Sequence, residues 1–135
     1  ADIIICAAAV SDFKPKFISK SKIKKNTNKL NSVSLEKNID ILDYLGKSNR
    51  FRPKILVGFS AETGNIDNAK RKLKNKKCDI IIYNKISKNN QVFGSDYNKI
   101  SIVTKNHVKK FKKMSKTNCA IEIIKYVHSY QLKNE

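Results

Sequence analysis

Tryptophan is absent from the 135 residues, and proline occurs twice, glycine four times and cysteine three times. With so little proline and glycine, the chain shows no internal repeat and no low-complexity linker. None of the four glycines falls in a GxGxxG or Walker-type loop, so the phosphate cradles built on those loops are not written here. Cys6, Cys78 and Cys119 are odd in number, far apart and without CxxC or Cys/His spacing. That pattern argues against a disulfide framework or structural zinc site and makes a reducing cytoplasm the expected compartment. No apolar run approaches the roughly 18 residues of a membrane span, and the apolar start of the chain has no basic region before it as a secretion signal would.

Acid is also scarce. Eleven Asp+Glu stand against 29 Lys+Arg, a formal net charge of +18. Such a balance attracts phosphate, in nucleic acid, acidic lipid or a small nucleotide, and composition does not choose among them. With 40% of residues apolar, the chain can still bury a core, and its length suits one domain.

Three continuous apolar runs, Asp2–Ala9, Lys54–Phe59 and Cys78–Tyr83, predict buried parallel strands, because a sheet covered on both faces needs no polar alternation. Helical spacing predicts a helix from Ile39 to about Lys47, capped by Asn38, with Ile41, Leu42 and Leu45 on one face and Gly46 near its stop. Thr63 is expected to cap a second helix carrying Ile66, Ala69 and Leu73 on its inner face, with Asp67 early and the bases late. A third is expected from Ser115 to about Gln131 with Ala120, Ile124 and Val127 inward. Lys99–Thr104 and Val108–Lys112 read as a short antiparallel pair around Asn106. Pro15–Ser32, nearly without apolar anchors, reads as a mobile loop or flap, with Val33–Glu36 pairing Ile23. The order defines an α/β fold: a three-layer, open, mostly parallel sheet of Rossmann-like or ribokinase-like type with a flap and a short antiparallel pair, incomplete at its N-terminus.

Open α/β sheets bind ligands beyond the carboxyl ends of their strands. Asp12 follows the first strand, Phe59, Glu62 and Thr63 the second, and Asn84 the third. An acid, a ring, a helix N-terminus and an amide on one edge suit a nucleotide with its metal, although the same residues also serve simply as caps and strand ends. Lys72 and Lys76 stand one helical turn apart, a like-charge pairing that an anion would relieve and that a solvated basic face also explains. Lys22, Lys24 and Lys25 on the flap pose the same choice. His107 and His128 read as structural and Cys6 as a core thiol, while Asp40 and Glu122 have no paired carboxylate for acid–base work.

Six strings occur in one order: AAAVSD at Ala7–Asp12, KIKK at Lys22–Lys25, NIDIL at Asn38–Leu42, VGFSAET at Val57–Thr63, FGSDYN at Phe93–Asn98, and Ser115-Lys116. Together they resemble phosphopantothenate-cysteine ligase of the bacterial type, the carboxyl-terminal part of a bifunctional flavoprotein of coenzyme A biosynthesis. The resemblance implies a ligase that joins 4'-phosphopantothenate to cysteine through an acyl-cytidylate made from CTP, with Mg²⁺. It assigns catalysis to Lys22, nucleotide binding to Asp12, Lys22, Ile39, Asp40, Ile41, Leu42, Phe59, Lys72 and Lys76, metal binding to Asp12, and phosphopantothenate binding to Ala8, Ala9 and Asn84. It further implies a cytoplasmic homodimer, fused to or associated with a flavin-dependent decarboxylase. Residues 1–135 would then form a single ligase domain without its amino-terminal glycine-rich part. Ile39 stands where the family usually has proline, and Tyr83-Asn84-Lys85 where it has Ala-Asn-Asp. A basic nucleic-acid-binding module and an inactive remnant of the ligase are the competing readings; few aromatics and no stacking signature count against the first.

Overall fold

A computed structural model of the chain describes residues 1–22, 32–87 and 94–133. Two compact units emerge, residues 1–7 with 41–135, and residues 8–40.

The larger unit is an α/β sheet. Strands β1 (Ile3–Cys6), β4 (Ile55–Glu62) and β5 (Ile80–Lys85) run parallel, and β7 (Ile100–Val103) and β8 (Val108–Lys110) continue antiparallel in the order β1-β4-β5-β7-β8. The expected parallel trio and antiparallel pair are both present. Continuous apolarity has the anticipated cause: Leu56, Val57, Ile80, Ile81 and Ile82 are fully buried because β4 and β5 carry core on both faces. Cys6 differs from the expectation of a buried thiol, because β1 is an edge strand and its four residues are only half-buried.

Helix α1 (Ile41–Lys47) and helix α2 (Ile66–Asn75) pack on one face of the sheet, and α3 (Lys116–Leu132) on the other. Ala69 and Leu73 of α2 are buried as their spacing predicts. The cap is Asn65, whose side chain accepts from the Asp67 amide at 3.1 Å, and not Thr63, because β4 runs on to Glu62 and delays the helix. Ser115 caps α3, but Cys119, Ile123 and Val127 face the core. Val127 faces inward as expected, whereas Ala120 and Ile124 are exposed, because the stripe packed on the sheet passes through Cys119 and Ile123.

Helix α1 begins two residues later than expected. Asn38 does not cap it; its amide bonds the Asp12 carbonyl at 2.9 Å and its side chain donates to the Ser11 carbonyl at 2.8 Å. Ile41 is half-exposed rather than inward, and Gly46 stands one residue before the end of the helix, near its stop as expected. A Cβ on Gly46 would stand 1.8 Å from the Lys76 carbonyl oxygen, so only glycine lets α1 approach the end of α2.

That end of α2 is a Schellman turn. The Cys78 amide bonds the Leu73 carbonyl at 3.0 Å and the Lys77 amide the Lys74 carbonyl at 3.2 Å. Lys77 occupies the left-handed position at φ 50°, where glycine is the usual residue.

Residues 8–40 contain a hairpin of β2 (Phe13–Pro15) and β3 (Leu35–Lys37), with Phe13 opposite Lys37 and Pro15 opposite Leu35. Only Pro15 of the expected loop belongs to this strand, and residues 16–22 carry no helix or strand. The proposed pairing of Val33–Glu36 with Ile23 falls on a residue outside those described, as do Lys24, Lys25 and Phe93. A last pair, β6 (Tyr97–Asn98) with β9 (Met114–Ser115), leads into α3.

Candidate functional site at the carboxyl edge

Strands β4 and β5 end together, Ala61 beside Asn84 and Glu62 beside Lys85, and this shared edge holds most of the polar chemistry inside the larger unit. The Ser60 hydroxyl, buried at 1% exposure, donates to the Glu62 carboxylate at 2.5 Å. Both lie on one face of β4, since alternate residues of a strand share a face. On β5, Asn84 is buried and its side-chain oxygen accepts from Asn98 Nδ2 at 3.3 Å; the Asn98 oxygen in turn accepts from the Lys99 amide at 2.8 Å. The two amides keep each other satisfied where the core meets the edge.

Phe59 is half-buried, and the Lys72 ammonium donates to its main-chain oxygen at 2.9 Å. The Tyr83 hydroxyl donates to the Gly64 carbonyl at 2.7 Å, fixing the turn that starts α2. Burial, followed by the charge of Glu62, raises the Tyr83 phenol above its ordinary range, so it remains a donor there.

The structure therefore brings Phe59 and Lys72 together and sets Asn84 on the neighbouring strand. Lys76 behaves differently. It is the residue at the end of α2, and its ammonium pairs with Asp43 of α1 at 3.3 Å. Its like-charge conflict with Lys72 is relieved by a carboxylate of the protein itself. The hydrogen bond from Lys47, and after it that from Lys76, holds the Asp43 carboxyl below its ordinary range. Ile41 and Leu42 both belong to α1, but Leu42 is buried against Gly58 in the core, which leaves its main chain for any ligand contact.

Ala8, Ala9, Asp12, Lys22, Ile39 and Asp40 belong to the smaller unit. Ala8, Ala9, Asp12, Lys22 and Ile39 are exposed. The main-chain oxygen of Asp12 is engaged by Asn38, so its carboxylate is the group that projects for other use.

The sequence places Glu62 at this edge but shows neither its pairing with Ser60 nor the contact of Asn98 with Asn84. A signal existed for both, since each places a polar residue where the strand pattern calls for an apolar one. Among the described residues no group of three His, Cys, Asp or Glu could hold a metal by itself, and no helix is long and apolar enough to cross a membrane.

An open α/β sheet with a polar carboxyl edge belongs to the class that takes ligands beyond its strand ends. The chain is a member of the family described as the DNA/pantothenate metabolism flavoprotein C-terminal domain, which matches residues 1–130. It is 43% identical over 129 residues to the coenzyme A biosynthesis bifunctional protein CoaBC of Borreliella burgdorferi, covering 94% of this chain and 32% of that one. The CoaBC of Bacillus subtilis is 37% identical, with 94% and 31% covered. The chain thus spans about a third of the length of the curated relatives it matches. A crystal structure of the C-terminal domain of CoaBC superposes with a TM-score of 0.72 at 27% identity, covering 99% of this chain and 56% of that one.

Proposed function

We propose that this chain is the core of a ligase that joins 4'-phosphopantothenate to cysteine at the expense of CTP, in coenzyme A biosynthesis. The observation that carries the reading is the 43% identity to CoaBC across nearly the whole chain. The polar edge of β4 and β5 is consistent with it.

In this reading Phe59 serves the base of CTP, Lys22, Lys72 and Lys76 serve its phosphates, and the main chain of Ile39, Asp40, Ile41 and Leu42 serves the cytidine. Phosphopantothenate lies near Ala8, Ala9 and Asn84. Its carboxylate attacks the α-phosphorus of CTP, pyrophosphate leaves, and the amine of cysteine then displaces CMP to form the amide. Both steps develop charge on phosphate oxygens, and lysines already in place stabilise that charge without reorganising. Lys22 acts from the exposed end of the described hairpin segment, Lys72 from a position fixed by its bond to Phe59.

A magnesium ion on a nucleotide needs one or two carboxylates and otherwise uses phosphate and water. The projecting Asp12 carboxylate fits that requirement, and the absence of a three-ligand cluster among the described residues does not conflict with it. Bound there, the ion would neutralise triphosphate charge. The glycine-rich section of the ligase domain and a flavin-dependent decarboxylase belong, in this proposal, to a longer protein. We place that protein in the cytoplasm as a homodimer; three cysteines that form no disulfide suit a reducing compartment.

The test is CMP release by the full protein from CTP, Mg²⁺, 4'-phosphopantothenate and cysteine. Release that needs both acceptor substrates is expected. Release indifferent to cysteine, or none, refutes the ligase reading.

A further inference from the structure

At the opposite end of the sheet, where β5 begins and β7 turns into β8, lies an open cavity of about 810 Å³. Six β5 residues separate it from the carboxyl edge, roughly 20 Å of strand. Five bases, Arg52, Lys70, Lys74, Lys77 and Lys105, line it against one acid, Asp79.

That acid is already committed. Its carboxylate accepts Arg52 Nη2 at 3.0 and 3.1 Å and the Leu56 amide at 2.7 Å. Lys70 has a distant partner in Asp67 at 3.6 Å. Lys74, Lys77 and Lys105 have no carboxylate partner among the described residues. A helix C-terminus favours lysine, which accounts for Lys74 but not for Lys105, which comes from another element. Lys105 stands on a locked turn: the Thr104 amide and hydroxyl both donate to the His107 carbonyl, at 2.9 and 3.2 Å, and the His107 amide returns to the Thr104 hydroxyl at 3.2 Å. Lys77 is held in the left-handed conformation that glycine would adopt with less strain, and its side chain lines the same cavity.

Leu73, Val108 and the Tyr130 ring supply an apolar wall beside these lysines. A flat ring next to clustered cations on fixed elements matches a ligand with one aromatic and one polyanionic end, and the volume lies in the range of small-molecule sites. We propose that this cavity binds a nucleoside polyphosphate, its phosphates on Lys74, Lys77 and Lys105 and its base against Tyr130 and Val108. The site is separate from the carboxyl edge and does not depend on the ligase reading.

The experiment titrates the full protein with adenosine diphosphate and follows hydrogen–deuterium exchange in peptides covering residues 73–79 and 103–108. Location distinguishes this site from the edge, whose peptides cover residues 59–65. Saturable protection of both segments is expected, with an apparent affinity at least tenfold weaker in the triple variant Lys74→Ser, Lys77→Gly, Lys105→Ser. Unchanged thermal melting of that variant shows that its fold persists. Protection confined to residues 59–65, or equal in the variant, overturns the proposal. Inorganic pyrophosphate should bind at least tenfold more weakly than the nucleotide; equal affinity overturns the nucleoside assignment. An oligothymidylate that protects both segments more tightly than the nucleotide overturns it in favour of nucleic acid.

Discussion

Lys72 spans the gap between α2 and β4 to donate to the main-chain oxygen of Phe59 at 2.9 Å. One ammonium thereby satisfies a carbonyl of the strand residue whose ring the family resemblance assigns to base contact. Phe59→Ala in the full protein should weaken CTP binding by about 1 kcal/mol or more through lost ring contact. Lys72→Ala should weaken it as well, and should also lower stability by about 1 kcal/mol through the unpaired carbonyl. Calorimetric titration with CTP measures the first effect and urea unfolding the second. Unchanged CTP affinity in both variants would mean the site is misplaced.

Lys22 should separate turnover from stability. It is exposed and packs against no core. Lys22→Gln is expected to lower CTP-dependent turnover of the full protein at least tenfold, about 1.4 kcal/mol of barrier, with the melting temperature unchanged. Equal rates for the two proteins would remove Lys22 from the mechanism.

Gly46 should be the least replaceable glycine. The obstacle to a methyl group there is main chain, the Lys76 carbonyl, whereas at Gly58 it is the flexible end of Leu42. Gly46→Ala should destabilise by about 2 kcal/mol or more and Gly58→Ala by less, since side chains yield more easily than a helix end. Denaturant midpoints of the two variants decide the order.

Alkaline pH should reveal the burial of Cys78. Desolvation, with the nearby Asp79 charge, pushes its thiol from 9.0 up to about 12. The unfolded thiol therefore ionises first, the unfolded state binds fewer protons, and stability present below pH 9 is lost as pH rises toward 12. Tyr83 and Tyr130 are shifted in the same direction, so the contrast with Cys78→Ala isolates the thiol. The variant should lose less stability than the unmodified protein between pH 9 and 11; parallel curves would contradict this.

Much of the fold was legible because β4 and β5 are buried on both faces, and uninterrupted Ile and Val runs have few other uses. The parallel trio and the pair around Asn106 could be read from that pattern alone. Boundaries were less legible. Asn38 is a good cap by residue type, yet it closes a loop with Ser11 and Asp12, a choice made by contacts 26 and 27 residues away that no local window contains. The phase of α3 failed for a related reason: Cys119 and Ala120 are both small and apolar, and only packing on Ile100 and Ile102 decides between them. At the candidate site, the places of Phe59 and Asn84 on their strands and of Lys72 on its helix were readable. The pairing of Lys76 with Asp43 was not, because it joins two helices 33 residues apart in sequence.

The two margins of the sheet are chemically unlike. On one side β8 is three residues long and exposes Lys109 and Lys110, the short charged border that discourages pairing with another strand. On the other, β1 presents Ile3, Ile4, Ile5 and Cys6, uncharged and only half-covered. The borders of the sheet are therefore unequal: at Lys109 charge opposes a further strand, and at Ile4 no charge does.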